Sequence, residues 1–249
     1  MPNWVYNTLT INKKDKDFVL DADGNVDFNI ITPMPDTIRE TISPARGSAI
    51  YLYLSEKDTT TVSKNLLAKY EIGERDIAEA KKVLSDYTPH ESEFGPYNDR
   101  KKLTHDEYVD ECYELGKRYV FNKDNYGVYD WYEWSYKHWG VKWNASDSDW
   151  YAYEDYLNIR FDTPWGYPDE WLRALKEKCP FHLAWEEEQG YRGVVYTLCE
   201  EDERYICSED MEMLEWTENE DGECETVDNG NYGECWQEYC LNAVFKKGE

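Results

Sequence analysis

The order of secondary structure in the C-terminal half constrains the fold of this chain more than any other feature. Residues 157–162 alternate apolar and polar side chains, as a half-buried strand does. A helix then begins at Pro168 and ends before Pro180, with acids in its first turn and lysines in its last. Residues 181–185 and 194–199 are two more alternating segments. Strand, helix, strand and strand form most of a split βαβ unit, which predicts an α+β, ferredoxin-like antiparallel sheet.

The N-terminal residues 1–55 are predicted to supply the other strands of this core. Residues 5–11 place apolar side chains on one face and Tyr or Thr on the other, which is the pattern of a strand. Residues 26–32 and 49–54 are also interpreted as sheet segments, the second because Ile and Leu alternate with Tyr in AIYLYL. A final helix is expected around residues 234–245.

Residues 56–124 have apolar residues at helical spacing and are predicted to form a helical insertion. Thr104 and Glu107 have the spacing of a reciprocal N-terminal cap. Residues 125–249 then form the ferredoxin-like C-terminal region, which includes an acidic segment at 200–238. The stripes that predict the inserted helices are Val62, Leu66 and Tyr70, then Ile77, Ala80 and Leu84, then Tyr108, Cys112, Leu115 and Tyr119.

The charge of the chain limits what it can bind. Its formal net charge is −26, from 53 acidic and 27 basic residues. Such a charge repels the phosphates of nucleic acids and anionic lipid headgroups. We therefore expect no direct binding to nucleic acid and no membrane partner. Residues 146–249 hold 28 acids and 8 bases, so most of the negative charge belongs to the C-terminal part.

The sequence contains no export signal and no cofactor motif. No stretch approaches the roughly 20 apolar residues of a membrane span, and the N-terminus lacks the basic-then-apolar order of a signal peptide. A cytoplasmic location is therefore expected. The 7 cysteines have no CxxC spacing and are interpreted as reduced thiols rather than metal ligands. Because no glycine-rich phosphate-binding motif occurs, we expect no cofactor.

Five strings of the sequence, in order along the chain, resemble one known family. They are PNWxxNxLTI at 2–11, DFNxIxPMP at 27–35, YxWxxxxWGxKWNA at 132–145, FDTPWxxP at 161–168 and EExGYxG at 187–193. The chain resembles the phage- and plasmid-borne family of unknown function that carries a YubB-type ferredoxin-like domain. The resemblance implies a ferredoxin-like α+β fold and a mobile-element origin. It brings no reaction, catalytic residue or ligand.

Two small clusters could carry chemistry. Asp130 and Glu133 are one helical turn apart among Trp and Tyr rings, which are the ingredients of a glycan-binding or glycoside-hydrolase site. Core packing explains the same aromatic residues, because they belong to one of the resembling strings. Cys179 and His182 could offer two zinc ligands, but no second tight pair of ligands accompanies them. We therefore predict no catalytic residues and no metal site.

The acidic segment 200–238 is unusual because apolar residues interleave with its 16 acids and single arginine. A disordered acidic tail is normally poor in such residues, so an ordered negative surface is expected. Carboxylates on such a surface can replace phosphates in contacts with Lys and Arg. A solvated face that only keeps the protein soluble is the simpler alternative.

The leading hypothesis is therefore a non-enzymatic acidic binding protein of a phage or mobile element. It would inhibit a basic, nucleic-acid-handling host defence protein by occupying its binding surface, as a nucleic-acid mimic. The alternatives are a glycan-active protein that uses Asp130 and Glu133, and a phage accessory protein without such a target. The predicted partner-binding residues are Glu200, Glu201, Asp202, Glu203, Glu209, Asp210, Glu212, Glu218, Glu220 and Asp221.

Overall fold

The computed structural model describes residues 2–41, 45–58, 61–86, 90–92, 101–200, 203–211, 215–218 and 224–227. The chain divides into two compact units. Unit 1 comprises Met1–Pro33 with Ser135–Glu249, and unit 2 comprises Met34–Trp134. The inserted unit therefore extends beyond the 56–124 range that helical spacing predicted.

The described strands and α-helices follow one another in an α+β order. The strands are β1 (Trp4–Asn12), β2 (His90–Glu91), β3 (Lys102–Leu103), β4 (Ser146–Ala152), β5 (Tyr156–Pro164), β6 (Phe181–Glu187), β7 (Arg192–Glu200), β8 (Glu203–Met211), β9 (Glu215–Glu218) and β10 (Cys224–Val227). The helices are α1 (Asp36–Arg39), α2 (Arg46–Leu54), α3 (Lys64–Lys69), α4 (Glu74–Ser85), α5 (His105–Tyr126), α6 (Trp131–His138) and α7 (Asp169–Lys176).

Unit 1 is built on a six-stranded sheet with the order β4-β5-β1-β6-β7-β8. Strand β1 pairs antiparallel with β5 on one side and with β6 on the other. Strands β5 and β6 are therefore parallel, and they are joined through α7 with β1 between them. This is a split βαβ unit, which confirms the predicted ferredoxin-like fold. The expected helix at 234–245 lies outside the described residues.

One face of this sheet forms the core of unit 1. The strand register aligns Leu9 with Ile159 and Leu183, and all three are fully buried. Helix α7 covers this face with the predicted stripe of Trp171, Leu172 and Leu175, each at 0% exposure. Burial of a side chain of this size contributes about 1.5–3 kcal/mol. The amphipathic pattern of α7 therefore identified its buried side correctly.

The prediction of sheet segments at 26–32 and 49–54 is wrong. Residues Phe28–Ile30 form a short 3-10 turn, and AIYLYL belongs to helix α2. The residues of α2 from Ser48 to Leu52 are all buried. A helix buried on every side is apolar throughout, so its short sequence cannot be distinguished from a buried strand by periodicity.

Unit 2 has a helical core, as predicted for much of its length. Tyr70, Ala80 and the α5 stripe at Cys112, Leu115 and Tyr119 are buried together with α2. The predicted cap is present, because the Glu107 carboxylate accepts a hydrogen bond from the Thr104 amide at 2.9 Å. This hydrogen bond, with Lys101 nearby, lowers the pKa of Glu107 to about 2. Across the described ranges, no helix has the length and apolar character needed to cross a membrane.

Candidate functional site

The ten predicted partner-binding acids separate into three groups. Glu200 ends β7, and Glu203, Glu209 and Asp210 lie on β8. Glu218 ends β9, which pairs with β10 in a separate two-stranded sheet. The remaining acids lie outside the described residues; they are Glu201, Asp202, Glu212, Glu220 and Asp221. The described structure therefore brings together only part of the predicted set.

The closest pairing of these acids occurs at one end of the β7–β8 ladder. Glu200 and Glu203 are directly opposite each other in the antiparallel register. In the sequence they flank Glu201 and Asp202, so four consecutive acids connect the two strands. Like charges in directly opposite positions destabilise a sheet, because their Cβ atoms are only about 4.5–5.5 Å apart. Four acids at this end of the hairpin therefore concentrate negative charge there, and we expect their repulsion to weaken the pairing of β7 with β8.

Glu209 and Asp210 lie near the other end of β8. They are opposite Val194 and Gly193 on β7, so neither faces a like charge across the strand pair. Glu203 and Glu209 are six positions apart, which corresponds to about 20 Å of extended strand. The β8 acids therefore form two separate groups along one strand rather than one compact cluster.

Strand β8 is an edge strand within the described part of the chain. It pairs on one side with β7, whose residues Gly193 to Thr197 are all buried. The hydroxyl of Thr197 accepts a hydrogen bond from the Phe181 amide at 3.0 Å, which ties β7 to β6. Edge strands present unpaired backbone groups to possible partners, and charged residues on them discourage nonspecific pairing. The acidic residues of β8 thus belong to an edge strand that pairs with a well-anchored neighbour.

Asp130 and Glu133, the alternative glycan-site residues, both make structural contacts in unit 2. Asp130 is only 3% exposed, and its carboxylate accepts hydrogen bonds from the amides of Tyr132 and Glu133, each at 3.0 Å. The Glu133 carboxylate accepts from the Tyr129 amide at 3.0 Å and forms an ion pair with Arg46. Together they cap the N-terminus of α6. These contacts give both carboxylates a structural role in unit 2.

Cys179 and His182 are both buried in unit 1. The His182 ring is 3% exposed and lies parallel to the Tyr196 ring, with centroids 6.2 Å apart. Burial lowers the pKa of His182 to about 4, so its imidazole is neutral at neutral pH. Among the described residues, no group of three or more His, Cys, Asp or Glu could hold a metal ion.

A cleft of about 320 Å³ in unit 1 was not anticipated from the sequence. Its lining includes Lys13, Lys16, Asp21 and Trp150. The Asp21 carboxylate accepts hydrogen bonds from two amides of the following turn, at 2.8 and 2.9 Å. Asp21 thus closes the predicted turn, in which Gly24 has a left-handed φ of 85°. The Asp21 carboxylate therefore stabilises the turn that lines the cleft, which is a structural role.

The second face of the sheet is another feature that the sequence analysis missed. Over β6 and β7 this face is buried at His182, Ala184, Val194 and Tyr196. Over β4, β5 and β1 it remains partly exposed, with Tyr6 at 49% exposure. The signal was present in the sequence, since alternation along β1 assigns Tyr6 to the face opposite the core. Half of this face is thus an open, accessible surface.

One comparison, with a protein family, agrees with the topology of unit 1. Residues 138–229 match the family described as "Ferredoxin-like domain in Api92-like protein". The crystal structure of the protein api92 from Yersinia pseudotuberculosis is 15% identical, and the match covers 79% of this chain and 94% of that one. Its TM-score of 0.34 does not establish a shared overall fold. No curated protein matches the chain significantly. Residues 138–229 therefore resemble an Api92-like ferredoxin-like domain of unknown function, and β1, which fills the split in the sheet, precedes the matched range.

Proposed function

We propose that this chain is a non-enzymatic acidic binding protein of a phage or other mobile element. It acts in the host cytoplasm by occupying the nucleic-acid-binding surface of a basic host defence protein. The observation that carries the proposal is the pairing of Glu200 with Glu203, at the point where four consecutive acids connect β7 and β8.

The chemistry of this hairpin suits a basic groove. Arg and Lys side chains that normally contact phosphates form equally strong charge-assisted hydrogen bonds with carboxylates. A bound cation would also relieve the repulsion between Glu200 and Glu203, so part of the cost of that pairing is recovered on binding. The same hairpin would repel nucleic acid itself.

The distribution of charge in the chain indicates that unit 1, rather than unit 2, attracts the basic partner. Residues 34–134 hold 14 basic and 20 acidic residues, so unit 2 carries only a small part of the net charge of −26. A strongly negative unit attracts a basic partner over long range and raises the rate of association, in a manner that salt weakens. The mobile-element origin rests on the five resembling strings, and the Api92-like match of residues 138–229 is compatible with it.

Affinity capture of host proteins tests the proposal directly. The full chain is tagged, nuclease is added, and retained proteins are identified at about 0.05 M and about 0.3 M salt. A discrete nucleic-acid-binding protein should be retained at the lower salt concentration. The test variant reverses Glu200, Glu203, Glu209 and Asp210 to Lys and should lose that protein.

A matched control separates a specific surface from net charge alone. It reverses four exposed acids elsewhere in unit 1, namely Asp17, Asp23, Glu154 and Asp155, to Lys. Both variants change the net charge equally. The proposal holds if only the β7–β8 variant loses the partner. Equal loss in both variants, or retention by the β7–β8 variant, would contradict it.

A further inference from the structure

The open half of the sheet in unit 1 combines an exposed ring with carboxylates on both neighbouring strands. Tyr6 on β1 is directly opposite Asp162 on β5 and Glu186 on β6. Side chains in such paired positions have Cβ atoms about 4.5–5.5 Å apart, so both carboxylates can reach the edge of the ring. Tyr6 is 49% exposed, and Glu186 is exposed as well. We call these three residues the Tyr6 patch.

Within the described ranges, the two carboxylates of the Tyr6 patch form no ion pair. No Lys or Arg in the described part of the chain forms an ion pair with Asp162 or Glu186, although Arg192 on β7 is opposite Glu186 in the register. Burial, with a smaller effect of the Asp147 charge, raises the pKa of Asp162, and the guanidinium of Arg160, on the same face of β5, lies over the Tyr151 ring. Charge complementarity at this position therefore favours a cation.

Exposed aromatic surface continues at the sheet end next to the Tyr6 patch. Trp165 follows β5, is 54% exposed, and has a left-handed φ of 69°. Its amide donates a hydrogen bond to the Asn3 carbonyl at 2.8 Å, just before β1 begins. A bulky residue rarely adopts this strained backbone conformation, and such outliers cluster at functional sites. Trp165 is therefore an exposed ring on a strained backbone close to the start of β1.

The chemistry of this surface selects one kind of occupant. An aromatic ring attracts a cation to its face, and an arginine guanidinium can lie on the ring while donating hydrogen bonds to carboxylates at its edge. Nucleic acid and anionic lipid would both be repelled by Asp162 and Glu186. A second copy of this chain would bring the same negative charges together. An arginine-rich protein segment fits all of these constraints.

We infer that the Tyr6 patch binds an arginine side chain of the basic partner, with the guanidinium stacked on Tyr6 between Asp162 and Glu186. This inference rests on the proposed function, because it names a second contact with the same class of partner. The acidic residues of β8 would attract the partner, and Tyr6 would supply the desolvated aromatic contact that dominates many interfaces.

The test measures binding of a fluorescent oligoarginine peptide to the full chain at about 0.15 M salt. Tyr6→Ala leaves the charge unchanged and should weaken binding about five- to tenfold, whereas Tyr6→Phe keeps the ring and should bind normally. Asp162→Asn and Glu186→Gln should each weaken binding. Tyr153→Ala is the matched control, because Tyr153 is another exposed tyrosine of unit 1, at 59% exposure, and should have no effect.

The outcomes separate this inference from the proposed function. If Tyr6→Ala binds oligoarginine as well as the unmodified chain, while reversal of the β7–β8 acids abolishes binding, the inference is overturned and the proposed function stands. If Tyr6→Ala weakens binding and the acid reversal does not, the Tyr6 patch stands and the hairpin is not the site. Absence of oligoarginine binding by the unmodified chain, or tighter binding of single-stranded DNA than of oligoarginine, overturns both.

Discussion

The carboxylate of Asp130 accepts a hydrogen bond from the backbone amide of Glu133 at 3.0 Å, and the Glu133 carboxylate in turn binds the Tyr129 amide. The two acids that looked most like a catalytic pair are thus joined as a helix cap. The Arg46 guanidinium also lies over the Tyr129 ring, 4.4 Å from its centroid, which secures the same corner of unit 2.

Removal of this cap should destabilise unit 2. We expect Asp130→Ala to lower the free energy of unfolding by about 1–2 kcal/mol, because a buried N-cap carboxylate is lost. Asp130→Asn should cost much less, since Asn is also a good N-cap residue. Urea denaturation of the three chains measures the difference. Equal stability of the Ala and Asn variants would show that Asp130 does not act as a cap.

The free energy of unfolding should depend on pH through His182. Burial lowers its pKa to about 4 in the folded chain, against an ordinary value of about 6.5. Above about pH 6.5 both states are neutral and this residue contributes no pH dependence. As the pH falls from about 6.5 to about 4, the unfolded chain binds a proton that the folded chain does not, so up to about 2–3 kcal/mol of stability is lost.

A comparison of wild type with His182→Gln isolates this effect from the many carboxylates. Urea denaturation at about pH 7 and about pH 5 should show a larger loss for the wild type than for the variant. The carboxylates titrate equally in both chains and cancel in the difference. Parallel behaviour of the two chains would mean that His182 can be protonated without unfolding.

The close approach of α2 and α5 should make Gly116 intolerant of any side chain. A Cβ atom at this position would overlap the backbone carbonyl of Ala49. We expect Gly116→Ala to destabilise the chain by about 1–3 kcal/mol through overpacking, despite the better helix propensity of Ala. Gly166→Ala is the control, because a Cβ there meets no atom within 4 Å and should be tolerated. Thermal denaturation distinguishes the two.

The pairing of Glu200 with Glu203 should lower the stability of the chain while it strengthens binding of the basic partner. We expect Glu200→Gln to raise the free energy of unfolding by about 0.2–1 kcal/mol, because a like-charge pair is removed. The same change should weaken capture of the basic partner. Glu218→Gln, opposite Cys224 on β10, removes an acid that faces no like charge and should leave stability unchanged. A Glu200→Gln chain that is less stable would contradict the role assigned to this pair.

Much of unit 1 could be predicted from local sequence patterns. The helix α7 has a clear stripe at Trp171, Leu172 and Leu175, and the strands β1 and β5 alternate regularly, so the pattern of each of these elements indicates which of its sides is buried. Turn glycines such as Gly24 and Gly190, both with left-handed φ, mark where the chain reverses. These signals depend only on residues a few positions apart and can therefore be recognised from the sequence alone.

The sequence by itself determined β1, β5, β6, β7 and α7 of unit 1, the buried side of α7 and the location of the negative charge. Only the tertiary structure decided that AIYLYL is a buried helix, that Asp130 and Glu133 form a cap, and that Tyr6 lies between Asp162 and Glu186. The reason is physical. Periodicity indicates how a segment is buried, whereas the partners of α2 and of Tyr6 lie far away in the sequence, on α5 and on β5 and β6, and no local pattern encodes them.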